Sequence, residues 1–153
     1  MATIHASLGE GTEVSITARG HTWKADEPVD AGGTDRGPSP YELLLGALGA
    51  CTTLTLRLYA RHKGIDLKEV DVEYDFDRIH AEDCKECGDD AKGLVEVVHA
   101  RVRFAGRFDE AQRERLSQIV SRCPVHKTLA AGVHMFEKVV FDDDLAGSAQ
   151  GNR

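Results

Sequence analysis

The stretch GPSPYELLLGALGACTTLTL, residues 37–56, decides the fold. Ser39 is a suitable N-cap, and Pro40 suits the first turn of a helix. Apolar or small side chains then recur at spacings of three and four, at Leu44, Ala47, Leu48, Cys51, Thr55 and Leu58. Because the flanking positions are also mostly apolar, the pattern predicts a buried helix from Tyr41 to about Lys63. Gly64 is a natural residue to end it.

The segments around this helix alternate as β-strands do. Apolar sets at residues 4–8 and 14–18 flank Gly9-Glu10-Gly11, which predicts a hairpin, and a short strand follows at 21–24. Val70, Val72, Tyr74 and Phe76 alternate with acidic residues, which predicts a half-buried strand at 70–77 with these four side chains inward. Further strands are predicted at 94–104 and 133–141, and helices at 109–122 and 124–131. This order predicts one α+β domain over residues 1–141, with largely antiparallel sheets and a frayed tail at 142–153. Since so long an apolar helix is hard to cover within 153 residues, we expect a dimer.

Composition excludes several classes of function. There are 26 acidic and 19 basic residues, and the net charge of −7 argues against a nucleic-acid surface. The longest uncharged apolar run, residues 43–56, is shorter than the roughly 20 residues of a membrane span. The first residues do not have the pattern of a secretory signal, so we expect a cytoplasmic protein whose thiols are reduced by default.

Cys51 and Cys123 are the first chemical candidates. Cys51 falls in mid-helix, where a packing role and a reactive role are both open, and a reactive thiol there needs an arginine or histidine from elsewhere in the fold. Cys123 precedes Pro124 and is expected to cap a helix whose N–H groups stabilise a thiolate, with His126 one turn later. Glu42 lies in the first turn of the long helix, nine residues before Cys51, and so points to the opposite face.

A second pair of cysteines lies in an acidic connection at residues 80–92. Cys84 and Cys87 form a CxxC motif, and His80 precedes it by four residues. A CxxC motif is half of a zinc site or a redox pair, so zinc held by these three residues is one interpretation, with His99 or His126 as a fourth ligand. A redox pair and a solvated acidic loop with two incidental thiols are the other interpretations.

The two cysteine motifs together resemble the OsmC/Ohr family of thiol-dependent peroxidases. GPSPYELLLGALGACTTLTL is followed about 70 residues later by SRCPVHKTL, and the resemblance runs from about Trp23 to Phe141. It implies an intertwined homodimer whose sheets wrap around the central cysteine-bearing helices. It also implies that Cys51 is the peroxidatic cysteine and Cys123 the resolving one, acting through a sulfenic acid and a disulfide to reduce organic hydroperoxides.

The resemblance further implies an external dithiol, or lipoyl-type, reductant and no required cofactor. The family's glutamate, ten residues before the helix cysteine, is replaced here by Tyr41, which leaves Glu42 as the nearest candidate. The family's activating arginine has no counterpart in the first hairpin turn, so Arg19 and Arg36 are candidates for it. These departures favour an alternative on the same fold, a non-catalytic protein that binds or senses an apolar ligand.

Overall fold

The fold combines two antiparallel sheets with three helices in the described part of the chain. The structure is a computed structural model that describes residues 2–84, 87 and 92–141. The predicted tail at 142–153 lies outside the described residues. The observed architecture is α+β, as the sequence predicts.

The first sheet is a three-stranded meander of β1 (His5–Leu8), β2 (Val14–Ala18) and β3 (His21–Ala25). Ile16 of β2 is the partner of Ala6 on one side and of Trp23 on the other. The predicted hairpin and short strand are therefore confirmed.

The long helix α1 (Pro40–Lys63) begins and ends where the sequence indicates. Ser39 and Glu42 form a capping box: the Glu42 N–H donates to the Ser39 hydroxyl, and the Ser39 N–H donates to the Glu42 carboxylate. The chain leaves the helix at Gly64, whose φ of +65° is the left-handed conformation that glycine adopts at low cost.

The buried face of α1 differs from the predicted one. The buried side chains are spaced by four, at Leu48, Thr52, Leu56 and Ala60. Leu58, which the pattern placed inside, is 60% exposed. The prediction was wrong here because an almost uniformly apolar helix gives little periodic signal about which side faces the core.

A long two-stranded ribbon packs against α1. It consists of β4 (Asp66–His80) and β5 (Leu94–Arg107), both longer than the alternation predicted. One face turns Val72 and Tyr74 towards the helix, with Val102 and Ala100 as their cross-strand partners. The opposite face carries exposed ion pairs, at Arg101–Glu73 and Arg103–Asp71.

Two shorter helices complete the core. Asp109 caps α2 (Glu110–Val120), and Cys123 caps α3 (Pro124–Ala131), both near the predicted positions. Leu116 and Ile119 of α2 form a buried cluster with Leu56 of α1. Therefore α2 is held on the helix through the same buried stripe that contains Thr52.

The strand predicted at 133–141 is not formed; these described residues adopt no regular structure. Their apolar side chains are exposed, and Phe136 is 93% exposed. A strand exists only when a neighbouring strand satisfies its backbone groups, and no described strand pairs with this segment.

By length and composition alone, α1 is apolar enough to cross a membrane, the only such helix in the described ranges. The expectation drawn from the run 43–56 therefore underestimated the length of the apolar helix. Apolar core helices of globular proteins meet the same criterion, and α1 packs against β4, α2 and α3.

Candidate active site

The fold brings Cys51 and Cys123 together, although 72 residues separate them in the sequence. Cys51 lies half-buried in the middle of α1, whereas Cys123 is fully buried at the start of α3. The side chain of Cys51 lies close enough to Cys123 to lower the pKa of the Cys123 thiol. The two thiols that the sequence singled out thus share one site.

The Cys123 sulfur accepts several hydrogen bonds. The Thr52 hydroxyl donates to it across 3.3 Å, and the backbone N–H of His126 donates across 3.2 Å. Burial raises the pKa of the Cys123 thiol, but the hydrogen bonds from Thr52, from the N–H groups of His126 and Val125, and from Cys51 outweigh burial. The net effect lowers the pKa of Cys123 below its ordinary value, so the site stabilises a thiolate there.

Tyr74 extends this network through Thr52. Its phenolic oxygen lies 3.0 Å from the Thr52 hydroxyl oxygen. A hydroxyl has one proton to donate. Because Thr52 gives that proton to the Cys123 sulfur, the Tyr74 hydroxyl donates to Thr52. The hydrogen bonds therefore run from Tyr74 through Thr52 to Cys123.

Sequence reasoning missed both hydroxyls as functional residues. The signal for Thr52 was its place among Leu48, Leu56 and Ala60, where it is the one polar side chain in a buried stripe spaced by four. A buried hydroxyl needs a hydrogen-bond partner, so that position alone points to a polar site. Tyr74 was placed correctly on the inward face of its strand, but nothing in the sequence marked its partner.

An apolar cavity of about 280 Å³ adjoins this network. Tyr74 and His126 are the polar residues of its lining, and the others are aliphatic: Leu48, Val98, Ala100, Val120, Leu129 and Ala130. Its character suits an apolar molecule with one polar end.

A larger and more open cleft, of about 690 Å³, lies between the first sheet and the start of α1. Trp23, Ile16 and Leu44 are among its mostly apolar lining residues, and Glu42 lies at its edge. This cleft follows the same helix that carries Cys51, but at its N-terminal end.

Glu42 is not brought to the cysteine pair within this chain. Its carboxylate accepts the Ser39 N–H at 2.7 Å, so it serves as half of the helix cap. The nine residues between Glu42 and Cys51 span about 13 Å of helix. A catalytic role for Glu42 stays a prediction, and that role requires a second copy of the chain.

The two candidate arginines lie elsewhere. Arg19 sits at the exposed turn between β2 and β3, and the Arg36 guanidinium lies 3.4 Å from the Glu13 carboxylate. Among the described residues, the groups that stabilise the Cys123 thiolate are hydroxyl, thiol and N–H donors rather than guanidinium groups. An activating arginine from this chain stays a prediction.

Asp26 organises the loop that joins β3 to α1. This carboxylate is buried and accepts the Thr34 hydroxyl at 2.5 Å, together with the backbone N–H groups of Glu27, Thr34 and Arg36. The hydrogen bond from the Thr34 hydroxyl, with those from the backbone N–H groups of Arg36 and Glu27, holds the pKa of Asp26 well below its usual range. The loop that leads into the capping box is thus tied to one ionised side chain.

Cys84 and Cys87 form a disulfide at the end of the ribbon. Disulfide sulfurs have no thiolate charge to offer a metal ion. Among the described residues no group of three or more histidine, cysteine or acidic side chains is placed to hold one. The zinc interpretation with His80 therefore applies only to the reduced pair, and there it stays a prediction.

In this α+β fold, a thiol in the middle of a long helix meets a second thiol at the N-terminus of another helix. This arrangement defines a class of α+β proteins with two cysteines in one site. The chain belongs to the OsmC family: the family model described as OsmC-like protein matches residues 33–137. The resemblance inferred from the two cysteine motifs is therefore confirmed.

Solved structures of this family share the fold. An OsmC-like protein from Mycoplasma pneumoniae is 23% identical with a TM-score of 0.66, over 85% of this chain and 87% of that one. An organic hydroperoxide resistance protein OsmC from Legionella pneumophila is 18% identical with a TM-score of 0.60, over 84% and 88%. The organic hydroperoxide resistance protein OhrB of Bacillus subtilis is 21% identical with a TM-score of 0.54, over 83% and 88%. No curated protein matches the chain significantly.

Proposed function

We propose that this protein reduces organic hydroperoxides as part of a peroxide stress response, using Cys51 and Cys123. The observation that carries the proposal is the meeting of the two thiols in one site that stabilises a thiolate. Structures with the same fold are described as organic hydroperoxide resistance proteins, which supports the same substrate class.

In the proposed reaction Cys51 acts first. Cys51 is half-buried whereas Cys123 is fully buried, so an incoming peroxide reaches Cys51 more readily. As a thiolate, Cys51 attacks the distal oxygen of ROOH, the O–O bond breaks, and the leaving alkoxide takes a proton to become ROH.

Cys123 then resolves the sulfenic acid on Cys51. Its sulfur attacks the Cys51 sulfur, an S–S bond forms, and the hydroxyl group leaves as water. The donors from Thr52 and the N-terminus of α3 favour the attacking thiolate. An external dithiol returns two electrons and restores both thiols.

The apolar cavities favour hydroperoxides with hydrocarbon groups over hydrogen peroxide. The cavity beside Tyr74 and His126 is lined mainly by aliphatic groups, which gain free energy by covering an alkyl or aryl chain. Hydrogen peroxide has no apolar surface to bury there.

A homodimer is part of the proposal. Only 22% of the most apolar stretch of α1 is buried, and the segment 133–141 leaves its apolar side chains exposed. A second copy would cover these surfaces and could supply a strand partner for 133–141.

The test is turnover of cumene hydroperoxide driven by dihydrolipoamide, for the wild type and for Cys51→Ser and Cys123→Ser. We expect steady turnover by the wild type, none by Cys51→Ser, and a single reaction followed by a stall in Cys123→Ser. Thr53→Ser is the matched control on α1, since that hydroxyl bonds only to helix carbonyl groups. A wild type no faster than free dithiol contradicts the proposal.

The two apolar cavities also favour a second candidate, a non-catalytic protein that binds an apolar ligand. In that case Cys51→Ala leaves ligand affinity unchanged and the wild type is inert to peroxides. Rapid turnover of cumene hydroperoxide by the wild type would exclude this candidate.

A further inference from the structure

The end of the β4–β5 ribbon holds a disulfide that the proposed peroxide chemistry does not use. On the face of the ribbon that points away from α1, ion pairs give way here to aliphatic side chains. Ile79 lies opposite Val95, and Val97 follows on the same face, all three half-buried. Ile79 and Val97 line one cavity together with Cys84 and Cys87.

This cavity, of about 410 Å³, lies between the two cysteines and the ribbon. The disulfide forms part of its wall, together with Ile79, Val97, Val98, Asp83 and His99. Both cysteines are only half-buried, so the sulfur atoms are within reach of a small molecule that enters the cavity.

A purely structural role explains this disulfide poorly. A disulfide stabilises a fold mainly by restricting the unfolded chain, and the effect decreases as the enclosed loop shortens. This one joins residues only three apart in the sequence, and it lies away from the buried cluster around Leu56. Its contribution to stability is therefore among the smallest that a disulfide can give.

The acidic residues near this disulfide favour some incoming thiols over others according to the charge of the thiol. Residues 82–90 contain five acidic side chains and one lysine in the sequence. Asp83, one of these acidic residues, lines the cavity. A further carboxylate, Asp75, lies opposite the cavity residue His99 on the neighbouring strand. Negative charge at close range repels anionic thiols and attracts cationic ones.

We propose that Cys84–Cys87 is a second thiol–disulfide exchange site, which accepts two electrons from a small neutral or cationic dithiol in this cavity. One donor thiolate attacks a cysteine sulfur, the Cys84–Cys87 bond breaks, and a mixed disulfide forms. The donor's second thiol then displaces the cysteine. The donor ends as a disulfide, and its two protons end on Cys84 and Cys87.

This proposal is independent of peroxide reduction. It is therefore tested in a full-length Cys51→Ser/Cys123→Ser variant, in which Cys84 and Cys87 are the remaining cysteines. The reduced pair is trapped by alkylation and counted by mass spectrometry after timed exposure to each thiol. Dithiothreitol, which is neutral, tests for binding, and an oxidised peptide of residues 80–93 is the comparison without a cavity.

We expect the rate with dithiothreitol to saturate for the protein and to stay linear for the peptide. A charge series of monothiols should react in the order cysteamine, 2-mercaptoethanol, 3-mercaptopropionate, when each rate is divided by the rate of the same thiol with a neutral model disulfide to remove differences in nucleophilicity. The ratio between the cysteamine and 3-mercaptopropionate rates should be about tenfold in 20 mM salt. It should fall to less than about twofold in 0.5 M salt, because salt screens exposed charges.

Asp83→Asn should lower the ratio between the cysteamine and 3-mercaptopropionate rates by about twofold. Glu10→Gln, which makes the same charge change in the turn between β1 and β2, should leave it unchanged. Linear kinetics without the charge order would show an ordinary exposed disulfide and overturn the proposal. A disulfide that resists reduction until urea unfolds the chain would assign it a structural role, which overturns the proposal equally.

Discussion

Thr52 on α1 and Cys123 at the start of α3 are both fully buried, and the Thr52 hydroxyl donates a hydrogen bond to the Cys123 sulfur across 3.3 Å. This contact links the helix that carries Cys51 to the helix that Cys123 caps. It makes Thr52 a positioning residue for the second thiol rather than a residue that touches substrate.

Removing the Thr52 hydroxyl should weaken the thiolate. In a Cys51→Ser background, Thr52→Val keeps the side-chain shape but raises the pKa of Cys123, since a hydrogen bond to the charged form is lost. We expect alkylation of Cys123 at pH 7 to slow roughly tenfold. The pH dependence of thiolate absorbance at 240 nm reports the pKa directly.

Two further variants separate this effect from a change in packing. Thr52→Ser retains the hydroxyl and should restore the low pKa, and Tyr74→Phe should raise the pKa by less than Thr52→Val because Tyr74 acts through Thr52. An unchanged pKa in Thr52→Val would contradict the hydrogen-bond account.

The core cluster around α1 should dominate stability. Leu56 is fully buried against Leu116 and Ile119, so Leu56→Ala leaves a cavity and should lower the free energy of unfolding by about 2–5 kcal/mol. Urea denaturation measures the change. Leu94→Ala, at a side chain that is 58% exposed, is the control and should cost less than about 1 kcal/mol. If Leu56→Ala and Leu94→Ala lowered the free energy of unfolding equally, Leu56 would not be a central residue of the core.

Asp26 should make the protein sensitive to acid. Its pKa is lower in the folded than in the unfolded state, so its contribution to stability is present above the unfolded value of about 3.9. That contribution is lost as the pH falls below this value towards the folded pKa. Asp26→Asn should be less stable than the wild type at pH 7 and should lose less stability between pH 5 and pH 2, as measured by urea unfolding. Parallel curves for the two proteins would show that the carboxylate has no such role.

The exposed apolar surfaces should be covered by self-association. Leu58 is 60% exposed on α1, and Phe136 is 93% exposed in the segment 133–141. Sedimentation equilibrium should give a dimer for the wild type, with weaker association for Leu58→Asp and Phe136→Asp. Glu10→Gln serves as a surface control. A wild type that sediments as a monomer at micromolar concentration would contradict this part of the account.

The elements whose signals are local could be predicted from the sequence. Ser39, Pro40 and Gly64 mark the ends of α1 because caps act within one turn. Cys123 was identified as a helix cap for the same reason. The alternation of β4 placed Tyr74 on the inward face, and the structure agrees.

Features that depend on distant partners could not be predicted. The segment 133–141 has the alternation of a strand, but a strand also needs a neighbour, and no described strand of this chain provides one. The pairing of Thr52 with Cys123 depends on how α3 docks on α1, which no local pattern records. The face of α1 that is buried was hidden by the apolar character of the whole helix.

The most direct test of the central claim is to map the disulfides after one equivalent of cumene hydroperoxide is added to the reduced protein. The account predicts a new peptide pair joined through Cys51 and Cys123, formed as one equivalent of cumyl alcohol appears, and its loss in Cys51→Ser. If both thiols remain free after that treatment, Cys51 and Cys123 do not reduce hydroperoxides, and their shared site must serve another purpose.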